Sequence, residues 1–283
     1  MKIIECPRDA MQGLSYFIPT EVKIDYINTL LRVGFDTIDF GSFVSPKAIP
    51  QMRDTEAVLA GLNWKDSKSK LLAIVANTRG AEEAARHEGI AYLGFPLSVS
   101  ETFQKRNTNK SIAEALNTLE EIQQVCVRSK KTLVTYISMG FGNPYNDPYD
   151  VKLVEQFVDI LSTLGVKIIS LADTIGVSTT EKVQELFLSL SRLFPTVEFG
   201  AHLHSHPRTS HDKIRAAYDA GCTRFDGAIR GFGGCPMAND DLVGNIATEM
   251  IISFMQERKV DPAIDEVMFS KALKVADKVF DTH

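Results

Sequence analysis

Eight short runs rich in β-branched and other apolar residues alternate with longer segments of helical periodicity, and this alternation constrains the fold more than any other feature. The runs are 2–6, 37–42, 70–76, 91–97, 132–138, 167–172, 197–204 and 224–229. Between them lie helical patterns such as 19–33 and 147–164, the latter with Val151, Val154, Phe157, Val158 and Leu161 at spacings of three and four. Strands separated by helices imply right-handed parallel crossovers. Eight such units with no linker rich in Pro, Gly or Ser predict a closed (β/α)8 TIM barrel. An open doubly wound sheet is the alternative, but no Gly-x-Gly-x-x-Gly follows the first run, where a dinucleotide fold carries it. Helices are expected near 244–257 and 262–280. The organisation is then one catalytic domain over 1–283, with a barrel to about 258 and a C-terminal helical extension that caps it or joins a homodimer contact.

Composition narrows the partners. With 44% hydrophobic residues in 283 the chain can bury a sizeable core, and no apolar stretch approaches the roughly 20 residues that span a bilayer. A net charge of −5 argues against nucleic acid, while leaving room for an anionic small molecule held by local basic groups. The opening residues show none of the zones of a signal peptide. Cys6, Cys126, Cys222 and Cys235 are widely spaced without a Cys-x-x-Cys pair, so reduced thiols and a cytoplasmic location are expected.

In a parallel barrel the reactive groups sit at the carboxyl ends of the strands. Arg8 and Asp9 follow the first run, Asp39 and Ser42 close the second, and Asn77 follows the third. Ser138 closes the fifth, Asp173 follows the sixth, and His202-Leu203-His204 ends the seventh. Some of these polar residues can serve only to cap the next helix, Ser42 and Asp173-Thr174 being examples. The histidines differ, because side chains at i and i+2 of a strand share a face and both imidazoles point the same way. One ring buried on a hydrogen bond and one in solvent is the plainer reading. His206 and His211 fall in the following turn and helix start, outside the direct ligand set.

Asp9, His202 and His204 supply one carboxylate and two imidazoles, and Asn245 can add an amide oxygen. Oxygen and nitrogen donors without thiolate favour magnesium or manganese first, with zinc or iron as alternatives. Such an ion can bind a substrate hydroxyl and carboxylate as a Lewis acid, and Arg8 beside it can stabilise an enolate oxygen. Cys235 follows Gly231-Phe232-Gly233-Gly234, a loop able to hinge and deliver a proton from the thiol; the alternative is a small packed residue. Cys6, Cys126 and Cys222 read as structural.

These residues resemble the metal-dependent 3-hydroxy-3-methylglutaryl-CoA lyases, within the barrel metallolyases that include 2-isopropylmalate and homocitrate synthases. The resemblance runs in order through Pro7-Arg8-Asp9 with Gln12, Ser42-Phe43-Val44-Ser45-Pro46-Lys47 with Pro50-Gln51-Met52, and Ser100-Glu101 with Phe103 and Asn107. It continues through Asp173-Thr174-Ile175-Gly176-Val177, His202-Leu203-His204, Gly233-Gly234-Cys235-Pro236, and Gly244-Asn245 with Ala247-Thr248-Glu249. It implies cleavage of 3-hydroxy-3-methylglutaryl-CoA into acetoacetate and acetyl-CoA, the chemistry of leucine degradation and ketone-body formation. By the same resemblance Asp9, His202, His204 and Asn245 hold the metal, and Arg8, Asp39, Asp173 and Cys235 are catalytic. Gln12, Ser42, Ser138 and Lys47 then contact the acyl-CoA, with Lys47, Lys105 and Arg106 as candidates for its phosphates.

The chain departs from the family at Asp39, usually Glu, and at Ser205, usually Asp; the segment between Cys235 and Asn245 is one residue longer. These positions keep open a related lyase or aldolase acting on another 3-hydroxyacyl-CoA or a hydroxy-keto acid. An acetyl-CoA condensing synthase and a non-catalytic metal-binding scaffold stand behind it.

Overall fold

Hydrogen bonding in the computed structural model, which describes residues 1–234 and 243–280, joins eight parallel strands into a ring. They are β1 (Lys2–Glu5), β2 (Thr37–Ser42), β3 (Lys70–Ile74), β4 (Ile90–Ser98), β5 (Thr132–Ser138), β6 (Ile168–Asp173), β7 (Glu198–Ser205) and β8 (Arg224–Gly227). Each pairs with its neighbour in sequence, and β1 closes the ring on β8 through the register Lys2↔Arg224 to Glu5↔Gly227. β2 and β6 are buried along their whole length, which explains why they read as unbroken runs rather than alternating ones: one face meets the helices and the other the barrel interior.

The helices are α1 (Pro7–Gln12), α2 (Thr20–Val33), α3 (Thr55–Ala60), α4 (Thr78–Ala85), α5 (Glu101–Thr108), α6 (Ile112–Ser129), α7 (Val151–Thr163), α8 (Thr180–Leu193), α9 (Pro207–Asp219), α10 (Thr248–Glu257) and α11 (Glu266–Phe280). Most of the core lies between this outer layer and the strands. A smaller cluster of Leu72, Ile74, Tyr92, Val134, Tyr136 and Ile168 forms the apolar part of the barrel interior. Some starts are set by side-chain caps: Ser111 and Glu114 form a reciprocal capping box on α6, and Thr179 accepts the Lys182 N–H at the start of α8. α11 returns to cover α2, with Tyr26 against Phe280 and Phe35 against Phe269 edge to face at 6.0 and 6.2 Å.

Three expected helix boundaries shift, each for a local reason. The helix expected from 147 begins at Val151, because Asp150 caps it by accepting the Leu153 N–H at 2.7 Å. Asp147 instead accepts from Ser100 Oγ at 2.5 Å and from the Thr102 N–H at 2.9 Å, tying down the start of α5. The helix expected from 262 begins at Glu266, with Asp265 accepting the Met268 N–H at 2.9 Å. Lastly, Gly244 and Asn245 are not the start of a helix. They form β9 (Gly244–Asn245), antiparallel to β7 with His204 opposite Asn245. A Cβ at Gly244 would stand 2.7 Å from Gly233 O and 2.8 Å from Gly231 O, so only glycine lets the backbone pass there.

Candidate active site

Pro7 opens α1 immediately after β1, so Arg8 and Asp9 are delivered to the carboxyl end of the barrel in the first helical turn. Both are buried. Arg8 Nη1 donates to Asp9 Oδ1 at 3.0 Å and to Gln12 Oε1 at 2.8 Å, while Gln12 Nε2 donates back to Asp9 Oδ1 at 2.8 Å. The opposite edge of the guanidinium is held by Asp39 on β2. Burial raises the Asp9 pKa, yet the Arg8 charge and the two imidazoles outweigh it and bring the carboxyl down to about 2. Burial wins at Asp39, which is pushed up to about 6 despite Arg8.

His202 and His204 enter from β7 on the same face, with ring centroids 5.2 Å apart. Each has its Nδ1 occupied. His202 Nδ1 lies 3.1 Å from Asp226 Oδ2, and His204 Nδ1 lies 2.9 Å from the Thr174 carbonyl oxygen. A carbonyl can only accept, so His204 carries its proton on Nδ1 and presents a lone pair at Nε2. That Nε2 is buried without a hydrogen-bond partner among the described residues, 3.9 Å from Asp9 Oδ2. Burial, and then the nearby His202, hold the His204 imidazole below its ordinary pKa and so neutral. At His202 burial acts in the same direction, but the bond to Asp226 and the charges of Asp226 and Asp9 prevail and raise it.

Ligand atoms of Asp9, His202 and His204 all lie within 4.8 Å of one another. A buried lone pair facing an ionised carboxylate, with both rings oriented by an acceptor on the far nitrogen, fits a divalent cation. A second grouping, Cys6 with His202 and Asp226, does not fit one. Cys6 donates to Ile4 O at 3.7 Å, and burial drives its thiol pKa well up, so it stays protonated.

The cluster floors a cavity of about 340 Å³. Arg8, Asp9, Gln12, Ser138, His202 and His204 form its polar side; Val44, Ile49, Ile74, Pro96, Phe103 and Tyr136 form the apolar side. Other expected residues fall elsewhere. Ser42 Oγ accepts the Val44 N–H at 3.2 Å and belongs to the neighbouring cleft with Thr55 and Asn77. Lys47 is exposed on a loop whose Ala48 and Ile49 reach the cavity. Asp173 is the last residue of β6, and its carboxylate turns to the following loop, accepting from Val177 N, Ser178 N, Ser178 Oγ and Lys213 Nζ at 2.5 to 3.3 Å. It thereby positions Thr174, which lines the cavity and holds His204. Cys235 lies outside the described residues. Asn245 is brought to the cluster by β9, with Nδ2 donating to Asp9 Oδ2 at 2.7 Å and to Phe232 O at 2.9 Å.

Asp226 and Tyr136 were not anticipated from the sequence, and Thr174 was read there only as a helix cap and as part of the Asp173–Val177 stretch. For Asp226 a signal was present: Arg224 and Asp226 are two charged residues at i and i+2 of a strand, hence on one face.

A parallel barrel whose strand ends converge a carboxylate, two oriented imidazoles and a clamped guanidinium on one cavity has the build of a barrel enzyme, with donors that could hold a metal ion. The chain belongs to the HMGL-like family, a family of carbon–carbon lyases whose model matches residues 2–278. It is 33% identical over 274 residues to a hydroxymethylglutaryl-CoA lyase of Bacillus subtilis, covering 96% of this chain and 91% of the relative. The HMG-CoA lyase structure from Brucella melitensis superposes with a TM-score of 0.92 at 30% identity, covering 99% of this chain and 98% of the other. An HMG-CoA lyase from Acinetobacter baumannii, solved with coenzyme A and 3-methylmalate, gives 0.90 at 30% identity, covering 99% and 90%.

Proposed function

We propose that the protein is a divalent-metal-dependent lyase that cleaves 3-hydroxy-3-methylglutaryl-CoA into acetoacetate and acetyl-CoA. The observation that carries this reading is the buried His204 Nε2, without a hydrogen-bond partner among the described residues, set against Asp9 in a half-apolar cavity that Arg8 also lines. Asp9, His202 and His204 hold the ion, with magnesium or manganese favoured by the donor set. Asn245 is the fourth ligand; its amide must rotate to present Oδ1 in place of the Nδ2 that now meets Asp9. When bound, the ion supplies Lewis acidity to a substrate hydroxyl and carbonyl.

Arg8 is fixed at its Nε and Nη2 edge by Asp39, so it needs no reorganisation to face an enolate oxygen forming as the carbon–carbon bond breaks. Gln12 and Ser138 orient the polar end of the acyl group, and Val44, Ile49 and Phe103 receive its methyl and exclude water. The substrate hydroxyl gives up its proton to a base on the polar side of the cavity as the carbon–carbon bond breaks, and Cys235 delivers the proton that quenches the acetyl-CoA carbanion, so cleavage consumes no net proton. Lys105 and Arg106 stand on α5, whose Asn107 and Thr108 line the cavity, and with Lys47 are candidate partners for CoA phosphates. Cys6, Cys126 and Cys222 are free and buried, which supports a cytoplasmic setting. Among the described residues no helix is long and apolar enough to cross a membrane.

The test is to incubate purified protein with magnesium or manganese and 3-hydroxy-3-methylglutaryl-CoA, and to measure acetoacetate and acetyl-CoA. Equal amounts of both, abolished by chelation and restored by metal, are expected. No cleavage of this substrate by metal-loaded protein overturns the reading, and CoA thiol released from acetyl-CoA plus a keto acid replaces it with a synthase.

A further inference from the structure

Inside the barrel, one layer below His202, lies a group of polar side chains that the cleavage chemistry does not use. Strand register places Tyr136 beside Ser170, Ser170 beside Gly200, and Gly200 beside Arg224, around part of the ring. Gly200 precedes His202 by two residues on the same face, so this layer underlies the metal ligands. A Cβ at Gly200 would meet Ser170 Oγ at 3.0 Å and Arg224 Cδ at 3.3 Å, which shows the arginine lying across β7 in the interior.

Arg224 is fully buried, and none of its Nε, Nη1 and Nη2 has a hydrogen-bond partner among the described residues. Asp36 Oδ1 is 3.8 Å from Nη1, an ion pair too long for a hydrogen bond. The guanidinium lies 5.5 Å from the Tyr92 ring centroid, which offers charge attraction but no acceptor atom. Tyr136 Oη, Ser170 Oγ and Asp226 Oδ1 are also buried and have no hydrogen-bond partner among the described residues. A guanidinium has five N–H donors, and burying them unmet is among the costliest arrangements in a protein. The four residues in this condition stand on β5, β6 and β8, to either side of the side-chain-free Gly200 on β7.

We propose that Arg224, Tyr136, Ser170 and Asp226 bound a hydrated chamber whose bound water links the guanidinium to Asp226 Oδ1, making Arg224 a positioning residue for His202. The occupant is water because it must donate to a carboxylate oxygen and accept from a guanidinium at once. An anion could do only the second, and it would add charge where Asp226 and Asp36 already balance the arginine. Water with two to four polar partners is the common filling of such sites. Its consequence reaches the metal centre. With Oδ1 tied into the chamber, Asp226 cannot rotate, and Oδ2 stays on His202 Nδ1.

A crystal structure of the metal-loaded wild-type protein decides the chamber: ordered water within hydrogen-bond distance of Arg224 and Asp226 Oδ1 is expected. A dry interior with the guanidinium placed directly on Asp226, or a bromide peak there after soaking, overturns it. The positioning role rests on the proposed metal assignment and is read separately by manganese titration. Arg224→Met should weaken manganese binding about 10- to 100-fold, the range for losing an outer partner of a ligand histidine, and Arg224→Lys should restore most of it. Should Arg224→Met fail to fold, Ser170→Ala, which removes one partner of the same water, should weaken binding in the same direction. Wild-type manganese affinity in a folded Arg224→Met protein, whatever its Tm, removes the positioning role. A wild-type protein that binds no manganese defeats the metal assignment and the positioning role with it, while the crystallographic result still decides the chamber.

Discussion

Asp39 accepts the Arg8 Nε–H on both carboxylate oxygens, at 3.2 and 3.0 Å, and takes Nη2–H on Oδ2 at 2.5 Å. The short acid therefore already reaches the guanidinium that orients toward the cavity.

Lengthening that acid should harm the enzyme. Asp39 is 1% exposed, so an added methylene has no free volume and must displace Arg8. Asp39→Glu should lower kcat on 3-hydroxy-3-methylglutaryl-CoA by roughly a hundredfold, the cost of a 1 Å misplacement. Steady-state kinetics over a panel of 3-hydroxyacyl-CoA compounds checks this. A faster Glu variant on any of them would mean that Asp39 limits the wild type or selects a different acyl group.

The metal centre should depend most on His204, whose Nε2 has no other partner among the described residues. His204→Ala should weaken manganese binding by more than the roughly 10- to 100-fold typical of losing an outer partner. Calorimetric titration of the chelator-treated protein gives the answer. An unchanged affinity would place the ion elsewhere.

Cys235 is assigned to proton delivery rather than to the metal. Cys235→Ala should reduce turnover by about 10² to 10⁴, as for a positioned acid or base, with manganese affinity retained. Wild-type turnover would leave the residue a packing role only.

Stability should fall as pH rises because of Glu5, which lies on the helix side of β1 and is not among the residues lining the cavity. Burial pushes its carboxyl up to about 8 from 4.5, although it accepts from Thr248 Oγ1 at 2.6 Å and Ile229 N at 2.9 Å. Between those values the folded protein keeps a proton that the unfolded chain releases, so stability present below pH 4.5 is lost by about pH 8. At about 1.4 kcal/mol per pKa unit the loss is several kcal/mol. Glu5→Gln should flatten this decline in denaturant titrations run across the window. An equally steep decline in the variant would assign it to other groups.

Much of this arrangement was legible before any coordinates. Strands buried on both faces announce themselves as continuous apolar runs, and the two-residue spacing of His202 and His204 fixes a common direction whatever surrounds them. What a strand end does not reveal is where its side chain finds partners. Asp173 stands where a catalytic acid could, yet two backbone N–H groups, a hydroxyl and the Lys213 ammonium turn it to the loop. Ser42 is likewise drawn to the Val44 N–H. β9, at two residues, is too short for any periodicity to register, and it exists only because β7 offers an edge beyond the barrel. Asp226 carried a signal, the charged pair at 224 and 226 of a four-residue strand, but its partner His202 on the neighbouring strand β7 became evident only once the strands were in register.

The seam between β1 and β8 joins residues more than two hundred positions apart, from Lys2↔Arg224 to Glu5↔Gly227. A growing chain released up to residue 200 carries Arg8, Asp9 and Asp39 but neither histidine. During synthesis the chemistry therefore appears all at once and near the end, when the last strand docks on the first. Any fragment that stops short of that docking is inert however much of the barrel it has built.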